Sequence, residues 1–305
     1  MSLSIAIVGA GVMGTAIAQV FATAGQPVTV YDPDPVVLTG VEARLRAGTE
    51  LAGTSAEDAL GLLTLAPGLA AAVRDADLVI EAGPERVAVK QAIFRDLDQL
   101  TAPGVVLASN TSAIPIGEIA RDTRRPERVI GTHFWNPPYL VPLVEVVQAR
   151  RSDPELIAWT CQVLDEVGMK PVHVVADVPG FVGNRLQHAL KREAIALVAA
   201  GVCSAETVDT VTRYGFGARL GIVGPLEQSD LSGLELTLAI HEVLMPSLDR
   251  TAGPHPLLVE KVRKGETFRE WRPGEAEARR AEITRALAEA AARRRNNEPG
   301  KDGQR

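Results

Sequence analysis

The stretch IAIVGAGVMG, residues 5–14, decides the fold of this chain. A short apolar run, typical of a buried strand, leads into glycines spaced as Gly-x-Gly-x-x-Gly, and a helical pattern follows. The first glycine allows a tight turn, the second lets the backbone approach a pyrophosphate, and the third lets helix and strand pack closely. The N-terminus of the helix adds partial positive charge. The sequence therefore predicts a dinucleotide site formed by Gly9, Gly11, Val12, Met13 and Gly14.

A second apolar run, residues 27–31, ends at Asp32, at the spacing where a carboxylate receives the ribose hydroxyls of a dinucleotide. A carboxylate at this position hydrogen-bonds an unmodified ribose and repels a 2′-phosphate. The first basic residue after Asp32 is Arg44, so no close cation offsets the repulsion. Asp32 therefore predicts NAD rather than NADP. The alternative interpretation of this region is a glycine turn with no ligand.

The composition is typical of a globular protein with a large core. The chain has 305 residues, 46% of them hydrophobic, which is enough for two domains. The net charge of −6 comes from mixed signs and argues against nucleic acid and membrane partners. Cys161 and Cys203 have neither a disulfide pattern nor metal-ligand spacing, so we expect no metal and a reducing, cytoplasmic location. No apolar run reaches the ~18 residues of a membrane helix.

Strand and helix patterns alternate along the first part of the chain. After the fingerprint, strand patterns occur near 78–80, 105–108, 128–134, 143–147 and 171–175, with helical patterns near 35–51, 56–63, 86–99 and 153–168. Such alternation predicts an α/β fold, a doubly wound parallel sheet with helices on both faces. Beyond residue 178 only helical patterns follow, including one near 274–294. We therefore expect a Rossmann domain (1–178), an all-helical domain (179–295) and a disordered tail (296–305).

An imidazole and a carboxylate stand on two neighbouring strand patterns. His133 ends one apolar run, Glu145 lies on the next, and the stretch WNPPY, residues 135–139, forms a stiff turn between them. A buried carboxylate beside a histidine fixes the tautomer of the ring and stabilises its protonated form, which suits a general base. The alternative is a core histidine bonded to a backbone carbonyl. The dinucleotide site upstream favours the catalytic interpretation.

Six motifs resemble, in order and spacing, the L-3-hydroxyacyl-CoA dehydrogenase superfamily over residues 5 to about 265. They are the glycine fingerprint, IEA with PE (80–85), SNTS (109–112), HF with NP (133–137), LVEV (143–146) and PGF with NRL (179–186). Other stretches are similar to the branch that contains L-gulonate 3-dehydrogenase and lambda-crystallin. They are the WNPPY turn, residues 184–187, 217–219 and 224–227, and the ending formed by residues 266–271 and the C-terminal Ala/Arg-rich helix.

The resemblance implies a role for each motif residue. His133 matches the general base, Glu145 the carboxylate that orients it, and Ser112 and Asn184 the residues that hydrogen-bond the reacting oxygen. Positions that line the cofactor match Asp32, Glu85, Lys90, Asn110, Ser112 and Asn136. The implied reaction is oxidation of a secondary alcohol, with His133 taking the proton while NAD takes the hydride. From local sequence alone, Ser112 could instead be a helix N-cap, Asn184 a solvated residue and Lys90 a surface lysine.

Two features favour a free hydroxy acid over a coenzyme A thioester. Residues 33–73 hold no lysine and only two arginines, whereas thioester enzymes need cations there for the phosphates of coenzyme A. Residues 266–271 also replace the usual Gly-rich ending of the thioester enzymes. A free acid needs a cation for its carboxylate, and we expect Arg219 first and Arg185 second, with Trp135 also in the substrate site. The alternative is that both arginines form surface or interdomain salt bridges.

Three functions remain open: an NAD-dependent dehydrogenase of a small 3-hydroxy acid, a 3-hydroxyacyl-CoA dehydrogenase, and a non-catalytic protein that kept the fold, as in lens crystallins. The intact set of His133, Glu145, Ser112 and Asn184 argues against the third. Sugar acids, carnitine-like acids and carboxylated aromatic alcohols all suit a free-acid site. The resemblance also implies a homodimer formed through the helical domain.

Overall fold

The computed structural model describes residues 2–297 and contains an eight-stranded sheet. Its strands β1–β8 are Ile5–Val8, Val28–Tyr31, Leu63–Leu65, Leu78–Glu81, Val106–Ser109, Val129–Phe134, Leu143–Val147 and Lys170–Val174. They lie in the order β3-β2-β1-β4-β5-β6-β7-β8. The chain crosses over between β1 and β4, and this switch point is where doubly wound sheets bind dinucleotides. The predicted Rossmann fold is confirmed.

Helices pack on both faces of the sheet, over two separate apolar clusters. In chain order, α1–α14 are Val12–Thr23, Pro35–Thr39, Val41–Ala52, Ala56–Gly61, Leu69–Val73, Val87–Leu100, Ile116–Ile119, Pro154–Glu166, Gly183–Ala199, Ala205–Tyr214, Pro225–Ser232, Leu234–Leu244, Pro256–Lys264 and Glu275–Asn297. Three short 3₁₀ turns are Ala120–Asp122, Pro126–Arg128 and Phe216–Ala218. None of the helices within residues 2–297 has the length and apolar character needed to cross a bilayer.

The last two strands run opposite to the other six, which corrects the expectation of a wholly parallel sheet. β6 pairs antiparallel with β7, and β7 pairs parallel with β8. The cause is the short connection, residues 135–142, between β6 and β7. A parallel pair needs a crossover of about a dozen residues or more, which this segment cannot supply. The antiparallel register places His133 directly opposite Glu145.

The chain forms two compact units. Among the described residues, the first holds 2–184 together with 278–297, and the second is Arg185–Glu277. The second unit therefore differs at both ends from the expected domain of residues 179–295. Phe181 is buried in the core of the first unit, and most of α14 also belongs to the first unit. Of the expected tail, residues 296 and 297 still belong to α14, and the remainder lies outside the described residues.

The fingerprint glycines meet two different demands. A Cβ atom on Gly14 would lie 1.7 Å from the carbonyl oxygen of Gly9, so the third glycine is required by the close contact of helix and loop. A Cβ atom on Gly11 would meet no described atom within 4 Å. The N-terminus of α1 therefore opens onto free space at Gly11, which fits the approach of a pyrophosphate.

Two alanine substitutions separate these demands. Gly14→Ala should destabilise the fold by about 1–3 kcal/mol, because the added methyl overlaps a backbone carbonyl. Gly11→Ala should have the same unfolding temperature as the wild type. Its affinity for NAD should nevertheless fall about tenfold or more, which corresponds to about 1.4 kcal/mol of binding free energy. Thermal unfolding and NAD titration of both variants provide the measurements. Normal NAD binding by Gly11→Ala would show that the pyrophosphate does not approach this glycine.

Candidate active site

The side chains of His133 and Glu145 meet on the neighbouring strands β6 and β7. Nδ1 of His133 lies 2.8 Å from Oε2 of Glu145, and both side chains are almost completely buried. Because Nδ1 faces the carboxylate, it carries the proton of the neutral ring and leaves the lone pair on Nε2. That nitrogen is the atom that can accept a proton from a substrate. The geometry of a dyad is therefore present, and its catalytic role stays a prediction.

The second carboxylate oxygen of Glu145 holds the chain that leads into α9. Oε1 accepts hydrogen bonds from the backbone N–H of Val182 at 2.9 Å and of Gly183 at 3.0 Å. Burial alone would raise the pKa of the Glu145 carboxyl, but the hydrogen bonds from His133, Gly183 and Val182 outweigh burial and lower the pKa. Glu145 is therefore a permanently charged group at neutral pH, with donors at both oxygens.

Two aromatic rings enclose His133. The ring centroids of Trp135 and Phe181 lie 5.6 Å and 5.7 Å from that of the imidazole. Phe181 is fully buried and has φ 49°, a backbone conformation that bulky residues rarely adopt. The turn at Phe181 brings the next two N–H groups to Glu145. Sequence reasoning noticed the PGF motif but did not assign Phe181, because a motif does not reveal a left-handed backbone.

Ser112 and Asn184, the two residues expected to hold the reacting oxygen, lie side by side. Nδ2 of Asn184 donates to the carbonyl oxygen of Ser112 at 2.9 Å. Oε1 of Glu85 accepts the N–H of Ser112 at 2.9 Å and that of Ala113 at 3.0 Å. The alternative role of Ser112 as a helix cap is wrong, because α7 begins only at residue 116. Glu85 thus fixes the backbone that presents Ser112.

Lys90 belongs to a buried network, so its interpretation as a surface lysine is wrong. Its Nζ lies 2.8 Å from Oε1 of Glu81, and both side chains are inaccessible to solvent. The other oxygen of Glu81 accepts the hydroxyl of Ser109 at 2.7 Å. Nζ also lies 3.6 Å from Oε2 of Glu85. The Lys90 charge therefore stabilises the ends of β4 and β5 and the Glu85 loop.

The other residues assigned to the cofactor lie at the carboxyl ends of neighbouring strands. Asp32, directly after β2, accepts the N–H of Ala10 at 2.8 Å, which places its carboxylate beside the fingerprint loop. Asn110, directly after β5, accepts the N–H of Phe134 at 2.9 Å. Asn136 follows β6 and precedes a cis peptide bond to Pro137. Together with the open space at Gly11, this edge fits a dinucleotide.

Arg185 and Arg219 both lie in the second unit. Arg185 is in the first turn of α9, and Arg219 directly follows the 3₁₀ turn at residues 216–218. Arg219 is exposed on that unit. Their contacts with a substrate carboxylate, like that of Trp135 with the substrate, stay predictions.

Comparison with protein families gives two matches that together span most of the chain. The NAD-binding domain of 3-hydroxyacyl-CoA dehydrogenase matches residues 4–178, and the C-terminal domain of 3-hydroxyacyl-CoA dehydrogenase matches residues 180–276. A solved structure of 5-formyl-3-hydroxy-2-methylpyridine 4-carboxylic acid 5-dehydrogenase, described as an NAD⁺-dependent dismutase, is also similar. Its TM-score is 0.89 at 32% identity, covering 99% of this chain and 100% of that one.

Individual relatives act, by name, on different substrates. The 5-formyl-3-hydroxy-2-methylpyridine 4-carboxylate 5-dehydrogenase of Mesorhizobium japonicum is 34% identical, over 94% of this chain and 96% of its own length. The 3-hydroxybutyryl-CoA dehydrogenase of Mycobacterium tuberculosis is 39% identical, over 86% of this chain and 93% of its own length. The L-carnitine dehydrogenase of Streptomyces coelicolor is 37% identical, over 76% of this chain and 74% of its own length.

Replacement of His133 tests the dyad. His133→Ala should lower kcat by about a hundredfold to ten-thousandfold and leave NAD affinity nearly unchanged, because the general base is lost and the dinucleotide site is not. Glu145→Gln should lower kcat less. His173→Ala is the matched control, since this histidine is exposed on β8 and bonds Gln148. Near-normal turnover by His133→Ala would contradict the proposed role of the dyad.

Proposed function

The chain belongs to the 3-hydroxyacyl-CoA dehydrogenase family, and from this premise we propose that it interconverts a free 3-hydroxy acid and its 3-oxo acid with NAD. The observation that carries the choice of a free acid is the state of the two arginines in residues 33–73. Both are already engaged by other groups of the protein, and no lysine accompanies them.

Arg44 is bound to the backbone beneath the fingerprint. Its Nη2 donates to the carbonyl oxygens of Ala10 at 2.8 Å and Val37 at 2.7 Å, and its Nε donates to the hydroxyl of Thr15 at 3.2 Å. Such a guanidinium supports the nucleotide loop and is not available to a ligand phosphate.

Arg46 is bound by two carboxylates. Its guanidinium lies 2.9 Å from Glu42 and 2.7 Å from Glu57, which neutralise it. The region where a thioester enzyme needs cations therefore offers no unengaged one. This supports a substrate without the phosphates of coenzyme A.

The residues of the site can carry out the alcohol oxidation without further protein groups. Nε2 of His133 takes the hydroxyl proton, and Glu145 stabilises the imidazolium that forms. Ser112 and Asn184 hold the oxygen as its bond to carbon changes. Bound NAD supplies the hydride acceptor. The half-buried ring of Trp135 and the buried ring of Phe181 pack beside the imidazole and limit the access of water to it.

The names of the relatives support both a first and a second candidate. A pyridine 4-carboxylate and L-carnitine stand in two of the names, which favours a small free acid. The name 3-hydroxybutyryl-CoA dehydrogenase belongs to the relative with 39% identity, so a 3-hydroxyacyl-CoA thioester is the second candidate.

We infer that the protein works in the cytoplasm as a homodimer formed through the second unit. Its two free cysteines fit a reducing compartment. No residue of Arg185–Glu277 is buried, and Ile222, Leu226 and Tyr214 are 88%, 81% and 78% exposed. So much apolar surface is typical of an obligate subunit interface. Sedimentation equilibrium should give twice the 32.4 kDa of one chain, and a monomer would contradict the inference.

A paired substrate screen tests the proposed function. Free 3-hydroxy acids and their coenzyme A thioesters should be compared by NAD reduction, and the free acids should give the higher kcat/KM. Arg219→Met should then cost about 2 kcal/mol or more in kcat/KM, because the substrate carboxylate loses a guanidinium. Arg263→Met, an exposed arginine of the same unit, is the control. Higher activity on thioesters, or an equal loss on both substrate classes, would favour the second candidate.

A further inference from the structure

The last helix, α14, packs on the first unit beside the loop of residues 135–142, which joins the two strands of the dyad. We propose that α14 is a positioning element that holds this loop, and through it the alignment of His133 with Glu145. The proposal rests on the catalytic role of the dyad given above. The matched C-terminal domain of the family ends at residue 276, so nearly all of this helix lies beyond the stretch that the two family domains match.

The contact is concentrated near the end of the helix. Ala291 is 5% exposed and is the only buried residue among residues 185–294. One turn further on, Nη2 of Arg294 donates to the carbonyl oxygen of Leu140 at 2.5 Å. Ala291 lines the same cleft as Tyr139 and Leu140, and the guanidinium of Arg294 reaches the loop. A surface helix without a docking role would need neither feature.

Three carbonyl groups of the loop accept hydrogen bonds within the first unit. Pro137 accepts the N–H groups of Leu140 at 3.0 Å and Val141 at 2.9 Å, and Pro142 accepts the N–H of Lys170 at 2.8 Å. Leu140 is 1% exposed, and its carbonyl oxygen takes its donor from Arg294. Loss of that guanidinium removes the donor that ties this partly buried carbonyl to the helix, and the loop is then freer to move.

Packing beneath the loop is incomplete, although Tyr139 and Leu140 contact the core. A cleft of about 240 Å³ lies between the loop, α1 and α14, and its lining includes Gln19, Tyr139, Met169 and Arg294. A cleft of this size removes contacts that would otherwise fix the loop from below. Arg294 and Ala291, which line the same cleft, are therefore among the groups that hold the loop, together with the core packing of Tyr139 and Leu140.

Movement of the loop would reach the dyad along two short connections. Its first residue, Trp135, has its ring beside His133 and so close to Gly183 that a Cβ atom there would lie 2.3 Å from Cζ2 of the indole. Its last residue, Pro142, leads directly into the strand that carries Glu145. A shift of the loop therefore displaces both the ring beside His133 and the start of the strand that carries Glu145.

Two substitutions with matched controls test the positioning role. Arg294→Ala and Ala291→Glu should each lower kcat about threefold to tenfold and change the KM for NAD less than about twofold, because the dyad loses its alignment while, of the residues assigned to the cofactor, only Asn136 lies on the loop. Arg293→Ala and Ala286→Glu change exposed residues of the same helix and should stay within about twofold of the wild type. Arg294→Lys should restore part of the loss, since an ammonium also donates to a carbonyl.

Hydrogen–deuterium exchange of the protein without NAD gives a readout independent of turnover. In Arg294→Ala, peptides covering residues 135–142 should exchange faster than in the wild type and in Arg293→Ala. If these peptides exchange at the wild-type rate in Arg294→Ala, the contact between Arg294 and the loop is ruled out. If they exchange faster but kcat is unchanged, the positioning role is ruled out. A wild type that oxidises neither free acids nor thioesters would count against the proposed function alone, because the exchange result would still stand.

Discussion

The carboxylate of Glu145 is the interaction on which the rest of the site depends. One oxygen fixes the imidazole of His133, and the other holds the two amides that lead into α9. A buried charge is tolerable only when its hydrogen bonds are complete, so the strand pair, the left-handed turn at Phe181 and the start of the helix must form together. The same bonds lower the pKa of the carboxyl and keep it charged. A structural requirement thereby supplies the negative charge that a histidine base needs.

The dinucleotide edge is built in a similar way, from buried charges that hold backbone in place. Lys90 and Glu81 form an inaccessible ion pair, and Glu85, close to this lysine, accepts the amides at Ser112 and Ala113. Removal of one partner from such a pair leaves an uncompensated charge, at a cost of about 3–5 kcal/mol. The network therefore joins residues that we assign to the cofactor and to the substrate into one edge, and such an edge suits a reaction that depends on exact placement of donor and acceptor.

Much of this could be predicted from the sequence, where local pattern and chemistry agree. The glycine spacing, Asp32 and the alternation of elements predicted the Rossmann fold and NAD, and both are supported by the matched family domains. The facing positions of His133 and Glu145 were also evident, although the antiparallel direction of β7 was missed. The length of residues 135–142 contained that information, because no crossover fits there.

Other features depend on tertiary structure that a local pattern does not contain. The local sequence around Lys90 is compatible with a surface lysine. Only the folded structure shows that Lys90 bonds Glu81, which in turn accepts the hydroxyl of Ser109. The positive φ angle of Phe181 accompanies the two hydrogen bonds that the N–H groups of Val182 and Gly183 donate to Glu145. These donors lie 37 and 38 residues from Glu145 in the sequence. The docking of α14 spans 154 residues between Arg294 and Leu140, and its Ala/Arg-rich sequence gives no sign of it.

The tautomer of His133 tests the central claim most directly. Nitrogen-15 NMR of the NAD-free protein above pH 8, assigned by comparison with His133→Ala, distinguishes a protonated ring nitrogen from an unprotonated one. If Glu145 orients the base, Nδ1 of His133 carries the proton and Nε2 gives the signal of an unprotonated nitrogen. A proton on Nε2 with Nδ1 unprotonated would contradict the account, because no lone pair would then face the substrate.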